Sequence, residues 1–515
     1  MKKKIFGSLI TLVVICSLIL GAAPIQADDG EDCLDCLDGC SSLAVGRLAT
    51  VDGSVLTGHN EDNGSCVSRL HVVPRIYHEP GETLELRTGS IIPQVEGETW
   101  AYLWSELPDC TFSDTYLNEW GVSIFSDNAG SMKGTSHYDL TQNGIGYWLR
   151  RLVPERATTA REGVEIMGQF VEELGYIQSY RPPTKPERSA GGRNYIVADP
   201  NETWIFVVGC GKYWGAERVP DDEVAFVPNY ISIRVMDFDD TDNFLACPNL
   251  VQHAIDEGWY SGSGPFDFAK VYNTEGTQTS LGNKLRHWGA LRLLTGIEYP
   301  DMDNLPFSVK PNRKLSKEDV AEVLRCHYEG TVWEWDPSLG FNTHPHSYYL
   351  ADGTTRIRTI CTGSTDESSI MQLRSNMPAF VGNIYWRTEC RPCSSVYVPW
   401  YSGILEVAEP YTVGEQKERG EPDPIDHNSA HWTFKQLENL VCEAYADRIG
   451  KVRATWDNFE NAEFARQAGI EKAALSMYYD GGKEDLAREF LTQYTEGLAM
   501  KAFRTALKLI DKLEK

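Results

Sequence analysis

The chain is 515 residues long and carries 74 acidic against 48 basic residues, a formal net charge of -26. An acidic excess of that size repels phosphate and argues against nucleic acid or an anionic membrane as a partner. The length is enough to bury a sizeable core and by itself suggests about three domains. Strand-like segments nevertheless run on without a clear linker to roughly Glu409, so one large body followed by a helical tail is expected.

The chain opens on Met1-Lys2-Lys3-Lys4, an apolar run from Ile5 to Leu20 and small residues up to Ala27. A basic start, an apolar core too short to span comfortably and a small-residue end describe an export signal over residues 1–27. Every later apolar stretch is broken by charge, Gly or Pro. A secreted or extracytoplasmic protein with no membrane association after signal removal is the expectation. Residues 28–39, DDGEDCLDCLDG, are acidic and nearly devoid of apolar side chains, which predicts an extended, removable segment.

Thirteen cysteines in an exported chain invite disulfides. Loss of Cys16, Cys33 and Cys36 with the removable segments, and reservation of Cys40, leaves an odd number that cannot all pair. Cys390-Arg391-Pro392-Cys393 is the best local candidate for a bridge or redox pair. Cys33-x-x-Cys36-x-x-x-Cys40 has the spacing of a metal or iron–sulfur set, but no neighbouring Cys/His group completes it.

The stretch CSSLAVGRLATVDGSVLTGHNED, Cys40 to Asp62, reads as a strand (Ser42 to Ala49), a tight Asp52-Gly53 turn and a second strand (Ser54 to His59). With the hairpin centred there, residues whose numbers sum to roughly 105 face each other, and the His59-Asn60-Glu61-Asp62 end comes back beside Cys40. Further on, after Trp100 to Trp104, Asn-Glu-Trp-Gly reads as a turn and Val122 to Ser126 as a strand presenting Asn128 at its end. Pro154 to Gly175 has apolar residues at helical spacing and a Gly stop. Arg193 to Ala198 and Thr203 to Val208 flank an Asp-Pro-Asn-Glu turn, and the strand Val224 to Val227 runs into Asn229. From Cys247 to Gly340 the pattern is mostly helix and loop, with a helix from Ser316 to Glu329. Thr354 to Thr362 and Ser394 to Pro399 read as strands. His431 to Trp456, Asn458 to Tyr479 and Glu484 to Leu513 read as packed helices without chemistry of their own.

A cut between Gly39 and Cys40 would leave a thiol on the first residue of a mature chain. The α-amine of such a residue has an ordinary pKa of about 7.7 to 8.0, close to that of a thiol at about 8.5, so it can accept the thiol proton without a dedicated histidine. While Gly39 remains attached that nitrogen is an amide and has no basicity. Acyl transfer also needs donors for an oxyanion and a group that holds the amine. Asn128 and Asn229 are the candidates for the first role and Asp62 for the second.

The segments CSSLAVGRLATVDGSVLTGHNED, TYLNEWGVSIFSDNAG, RLVPERATTAREGVEIM, NYIVADPNETWIFVVGCGKYWGAERVPDDEVAFVPN and STDESSIMQLRSNMPAFVGNIYW resemble, in order from Cys40 to about Gly403, the dipeptidase A family of cysteine peptidases within the N-terminal-nucleophile hydrolases. The resemblance implies an α+β fold, a four-layer αββα sandwich, over residues 40–408, with a helical C-terminal extension over 409–515 and a propeptide over 28–39. It implies hydrolysis of dipeptides through Cys40, with Asp62, Asn128 and Asn229 matching the wider superfamily's Asp and two Asn positions. Where penicillin V acylase and the bile-salt hydrolases of that superfamily carry an Arg, this chain has His59, which holds no fixed charge above pH of about 6.5. Arg358 is the candidate to supply the missing charge, and His59 and Arg358 are assigned to substrate binding.

The expectation is therefore an exported, self-processing cysteine dipeptidase acting on a dipeptide or small amide, with no cofactor and no metal; association into a homo-oligomer is left open. An acylase of the same superfamily acting on N-acyl amides, and an inactive binding protein on the same scaffold, are the alternatives. A metal hydrolase built on His344 and His346 is disfavoured, because no HExxH helix or carboxylate stands at useful spacing.

Overall fold

The opening hairpin forms, but around a wider turn than an Asp-Gly pair alone would make. Strands Ser41–Val45 and Val55–Asp62 pair antiparallel with Ser42 opposite His59 and Val45 opposite Leu56, so facing residues sum to 101 and not 105. The reason lies in residues 46–54. Gly46 and Leu48 donate to the carbonyls of Glu223 and Asp221, and Val51 donates to that of Leu315. Thr50 Oγ1 donates to the Ser54 carbonyl at 2.7 Å. Neighbouring loops take up these backbone groups, and the tight turn is opened into a loop. A shift of four keeps every side chain on its expected face, since strand side chains alternate with period two.

The structure is a computed structural model, which describes residues 39–64, 66–107, 113–133, 139–177, 191–209, 211–339, 343–418 and 421–515. The proposed signal, Cys33, Cys36 and all of the acidic segment before Gly39 lie outside the described residues. Two antiparallel sheets form the body. One has seven strands in the order Ser308–Val309, Val224–Val227, Ser41–Val45, Val55–Asp62, Thr365–Leu373, Ile384–Glu389 and Val398–Tyr401. The other has eight, in the order Phe244–Ala246, Trp214–Arg218, Thr203–Val208, Gly191–Ala198, Ser123–Ser131, Ser113–Asn118, Tyr102–Glu106 and Arg69–Val73.

The sheets face one another: the His59 ring of one stacks on the Phe125 ring of the other, with centroids 4.9 Å apart. Helices Leu149–Arg156 and Ala160–Leu174 cover the eight-stranded sheet. Leu281–Thr295 and Lys317–Leu324 cover the seven-stranded sheet. On that side the absence of a side chain at Gly58 decides the approach, since a Cβ there would lie 2.8 Å from Val320 Cγ1. The result is a four-layer αββα sandwich with a helical C-terminal region. Helices Ala430–Glu443, Tyr445–Tyr479 and Glu484–Leu513 form that region and pack beside the outer strands of the seven-stranded sheet, with Trp386 edge-on to Phe464 at 5.1 Å.

Several boundaries differ from the sequence reading for local reasons. The expected helix from Pro154 to Gly175 is two helices, because Ala157 is extended and Thr159 accepts a bond from the Glu162 amide, capping a new start. The helix expected to run to Glu329 stops at Leu324, and Tyr328 adopts a φ of 68°. The helical break expected near Asp457 falls at Ala444, leaving one 35-residue helix. The buried strand Thr365–Leu373 was not anticipated; with both faces covered it lacks the alternation that marks a half-exposed strand. Cys390 and Cys393 are free thiols and form no bridge.

Candidate functional site

Cys40 stands immediately before the first strand, where the hairpin brings the far end of the second strand to it. With the observed register, Glu61 and Asp62 are its neighbours. The Cys40 thiol donates to Glu61 Oε2 at 3.3 Å, and the Asp62 backbone N–H points at the sulfur. Asp62 Oδ1 accepts from Thr365 Oγ1 at 2.7 Å and Asp62 Oδ2 pairs with Arg358 Nη2 at 3.0 Å. The same Arg358 nitrogen donates to the carbonyl oxygen of Gly39, the acyl group of the Gly39-Cys40 bond. Arg358 is thus brought beside Cys40 by the short strand Arg356–Arg358.

Asn229, just past the strand Val224–Val227, closes the opposite side. Its Nδ2 donates to the Asn128 carbonyl at 2.8 Å, and its Oδ1 accepts from Arg286 Nη2 at 2.6 Å. Gly39 has a φ of 82°, and a Cβ on it would sit 2.7 Å from Asn229 Cγ. The left-handed backbone and that close approach both demand glycine at the position before the thiol. Asn128 does not end its strand as expected. The strand continues to Ser131, with a register irregularity between Asn128 and Ser131, and Asn128 Oδ1 accepts from the Gly130 amide at 2.8 Å.

His59 is fully buried, and its Nε2 lies 3.4 Å from Asp127 Oδ1. Cys40, His59 and Asp127 each offer an atom within 4.8 Å of the other two. A histidine in this setting is enclosed between the sheets and is part of the thiol's surroundings, not an exposed substrate contact.

Sequence reasoning missed the residue that ties these parts together. Arg286, fully buried on the helix Leu281–Thr295, donates to the Cys40 carbonyl at 2.9 Å, to Asn229 Oδ1 and to Asn283 Oδ1 at 2.7 Å. Asn283 in turn donates to the Asn229 carbonyl at 2.9 Å. The only trace of this in the sequence is the i, i+3 spacing of Asn283 and Arg286, which places them on one helix face. Asp127 and Arg193 were also missed, both close enough to act on the thiol by charge, and Glu61, placed beside Cys40 by the hairpin, was given no role although it accepts from the thiol.

The electrostatics hold the Cys40 sulfur in its thiol form. Burial pushes the Cys40 thiol up to about 12, and the carboxylates of Asp127 and Asp62 add to the effect, against a lowering by Arg193. Burial also lifts Asp62 to about 6, although Arg358 and Thr365 oppose this. Arg286 is lowered to about 10 by burial and by the like charge of Arg358. With Gly39 attached there is no amine beside the sulfur to take its proton.

The family model for peptidase family C69 matches residues 39–458, so the match begins one residue before Cys40. A protein named probable dipeptidase from Latilactobacillus sakei is 28% identical over 488 residues, covering 89% of this chain and 96% of that one. Another of the same name from Salmonella dublin is 28% identical over 401 residues, covering 73% and 83%. Among solved structures, a mutant of conjugated bile acid hydrolase from Clostridium perfringens aligns with a TM-score of 0.33 at 11% identity, over 68% of this chain and 89% of that one. A family match that spans most of the chain and starts at the residue before the buried thiol settles the assignment: this chain belongs to peptidase family C69.

Proposed function

We propose that the chain is an exported cysteine-type dipeptidase that frees its own nucleophile by breaking the Gly39-Cys40 bond. The observation that carries this reading is the pairing of Arg358 with the Gly39 carbonyl oxygen, next to the thiol of the following residue. Thiol and carbonyl belong to one amide unit. Attack of sulfur on the Gly39 carbon closes a five-membered ring, and the charge that develops on oxygen falls against the Arg358 guanidinium. Collapse breaks the C–N bond, leaves a thioester on sulfur and a free amine on Cys40, and water completes the cut. The names of the relatives support a dipeptide substrate.

In the processed chain the amine takes the thiol proton. The thiolate then adds to the substrate carbonyl, Asn128 and Asn229 are assigned as donors to the oxyanion, and the ammonium returns its proton to the departing amine. Water hydrolyses the thioester by the same shuttle in reverse. Asp62 holds the ammonium in place, and Arg286 keeps the Cys40 carbonyl and Asn229 in register.

The test is the intact mass and N-terminal sequence of exported protein, with turnover measured on dipeptides beside N-acyl amino acids. Protein beginning at Cys40 and cleaving dipeptides is expected. Turnover confined to N-acyl amides would overturn the substrate reading. Activity with residues up to Gly39 still attached would rule out the amine as base and leave Glu61, which accepts from the thiol, and His59, grouped with Asp127 and the thiol, as candidate bases.

Asp62 gives the reaction an acid limit. It must be ionised to hold an ammonium, and its carboxyl titrates at about 6 with the amide intact. A neighbouring ammonium pulls it lower. The α-amine must be unprotonated to take the thiol proton, so kcat/KM is expected to fall about tenfold per unit below the amine's pKa of about 7.7 to 8.0, and about a hundredfold per unit once Asp62 is protonated as well. A slope that stays at about tenfold per unit down to pH of about 4, the ordinary carboxyl range, would remove Asp62 from this role. For stability the sign is the reverse: a carboxyl whose folded pKa is raised stabilises the fold fully below its unfolded value of about 3.9 and loses that contribution as pH rises through about 6.

A further inference from the structure

Away from the thiol, four buried side chains from four separate segments point at one spot. His327 follows the helix Lys317–Leu324, His346 precedes the strand Ser347–Tyr349, Cys361 follows Arg356–Arg358, and Cys393 sits in the turn after Ile384–Glu389. One ligand atom from each lies within 4.8 Å of all the others, and none of the four residues is more than 4% exposed. His346 Nε2 is 3.1 Å from Cys393 Sγ, and the two imidazoles stand edge to face with centroids 5.1 Å apart. Cys361 and Cys393 are both free thiols.

The second observation concerns His327. Its Nδ1 is 2.9 Å from Glu329 Oε1, while Glu329 Oε2 accepts from the His327 amide at 2.9 Å. The carboxylate fixes the Nδ1–H tautomer and leaves a lone pair on Nε2. That Nε2 is buried and makes no hydrogen bond to a described residue. A buried imidazole nitrogen without a partner is costly. A carboxylate behind a histidine, with the other nitrogen facing thiols, is the arrangement by which metal-ligating histidines are oriented.

We propose that His327, His346, Cys361 and Cys393 form a structural zinc site. Two thiols and two imidazoles are the donor set of closed tetrahedral zinc, whose bonds of about 2.0–2.3 Å separate ligand atoms by about 3.3–3.8 Å, reachable here by small side-chain rotations. Binding Zn2+ releases the two thiol protons and gives a neutral centre, which suits a buried position. Four protein ligands leave no coordination position for water, so the ion holds structure and does no hydrolysis.

The site's place in the fold says what it holds. Thr359 Oγ1 donates to the His346 and Cys361 carbonyls, and Tyr328 Oη donates to the carbonyl of Arg358 at 2.8 Å. The ligands therefore bracket the short strand that delivers Arg358 to the Gly39 carbonyl. Arg453 on the helix Tyr445–Tyr479 donates to the carbonyls of Pro392, Cys393 and Ser395, tying the same knot to the C-terminal helices. The sequence reading expected no metal because His344 and His346 lack a partner nearby in the chain. His344 is not in the set, and the other three ligands come from 19 residues before to 47 residues after His346.

The test uses the full chain as purified, without chelator, and needs no assay of peptidase activity. Elemental analysis of the wild type is expected to give about one zinc per chain, released on unfolding to a colorimetric chelator. A Cys361→Ser/Cys393→Ser variant is expected to lose more than about nine-tenths of it, while Cys247→Ser retains it. Stripping zinc from the wild type should lower its Tm, and adding zinc back should restore it. Wild-type protein free of zinc that takes up none when supplied, or a Cys361–Cys393 disulfide found by non-reducing peptide mapping, would overturn the proposal whether or not the variants fold.

Discussion

Cys40→Ala is expected to lower kcat/KM by about 10⁴-fold or more, the scale of loss when a covalent nucleophile is deleted from a unit that works together. The same variant should keep its upstream residues, because the proposed self-cleavage uses the group removed. Both effects share one cause: Sγ is the atom next to the Gly39 carbonyl, with the Asp62 N–H aimed at it and Arg358 on the carbonyl oxygen. The neighbouring hydroxyls cannot substitute. Ser41 and Ser42 are fixed in the strand that follows, paired with Asn60 and His59 across the hairpin. Intact mass and steady-state kinetics on one preparation check both effects. Dipeptide turnover within tenfold of wild type would place the nucleophile elsewhere.

Arg374→Met is expected to destabilise the fold by about 3–5 kcal/mol, the cost of removing one partner from a buried ion pair. Arg374 donates Nη1 and Nη2 to the two Glu471 oxygens at 2.8 and 2.6 Å, and both side chains are buried. Nε also donates to the Gly382 carbonyl at 2.9 Å. Arg374 follows the buried strand Thr365–Leu373, whereas Glu471 lies on the long C-terminal helix, so the pair joins sheet and tail. Methionine would fill much of the volume and strand the Glu471 carboxylate in the interior. Denaturant unfolding measures the loss, and adding Glu471→Leu to the variant should recover a large part of it. A loss below about 1 kcal/mol, the value of a surface pair, would mean that the carboxylate is satisfied by Gln467 and Tyr401 without the arginine.

The sequence by itself determined the thiol and the elements whose periodicity is local. The hairpin, the strand pairs Gly191–Ala198 with Thr203–Val208 and the last helix were legible because alternation, turn residues and helical spacing are properties of neighbours in the chain. What stood on a strand or just past its end, as Asp62 and Asn229 do, could be placed near the site from the chain order and the family pattern.

Only the tertiary structure decided the rest, and the reason is the same in each case. Arg286 acts on Cys40 from 246 positions away, and nothing in LGNKLRHWGALRLLT marks it except its spacing from Asn283. The register of the opening hairpin moved by four residues because loops at Asp221 and Leu315 claim its turn. The strand Thr365–Leu373 is buried on both faces and therefore carries no period. The four convergent His and Cys side chains are unremarkable one at a time. Contacts between distant segments are set by which faces the sheets and helices bury against each other, and that is information a local pattern does not contain.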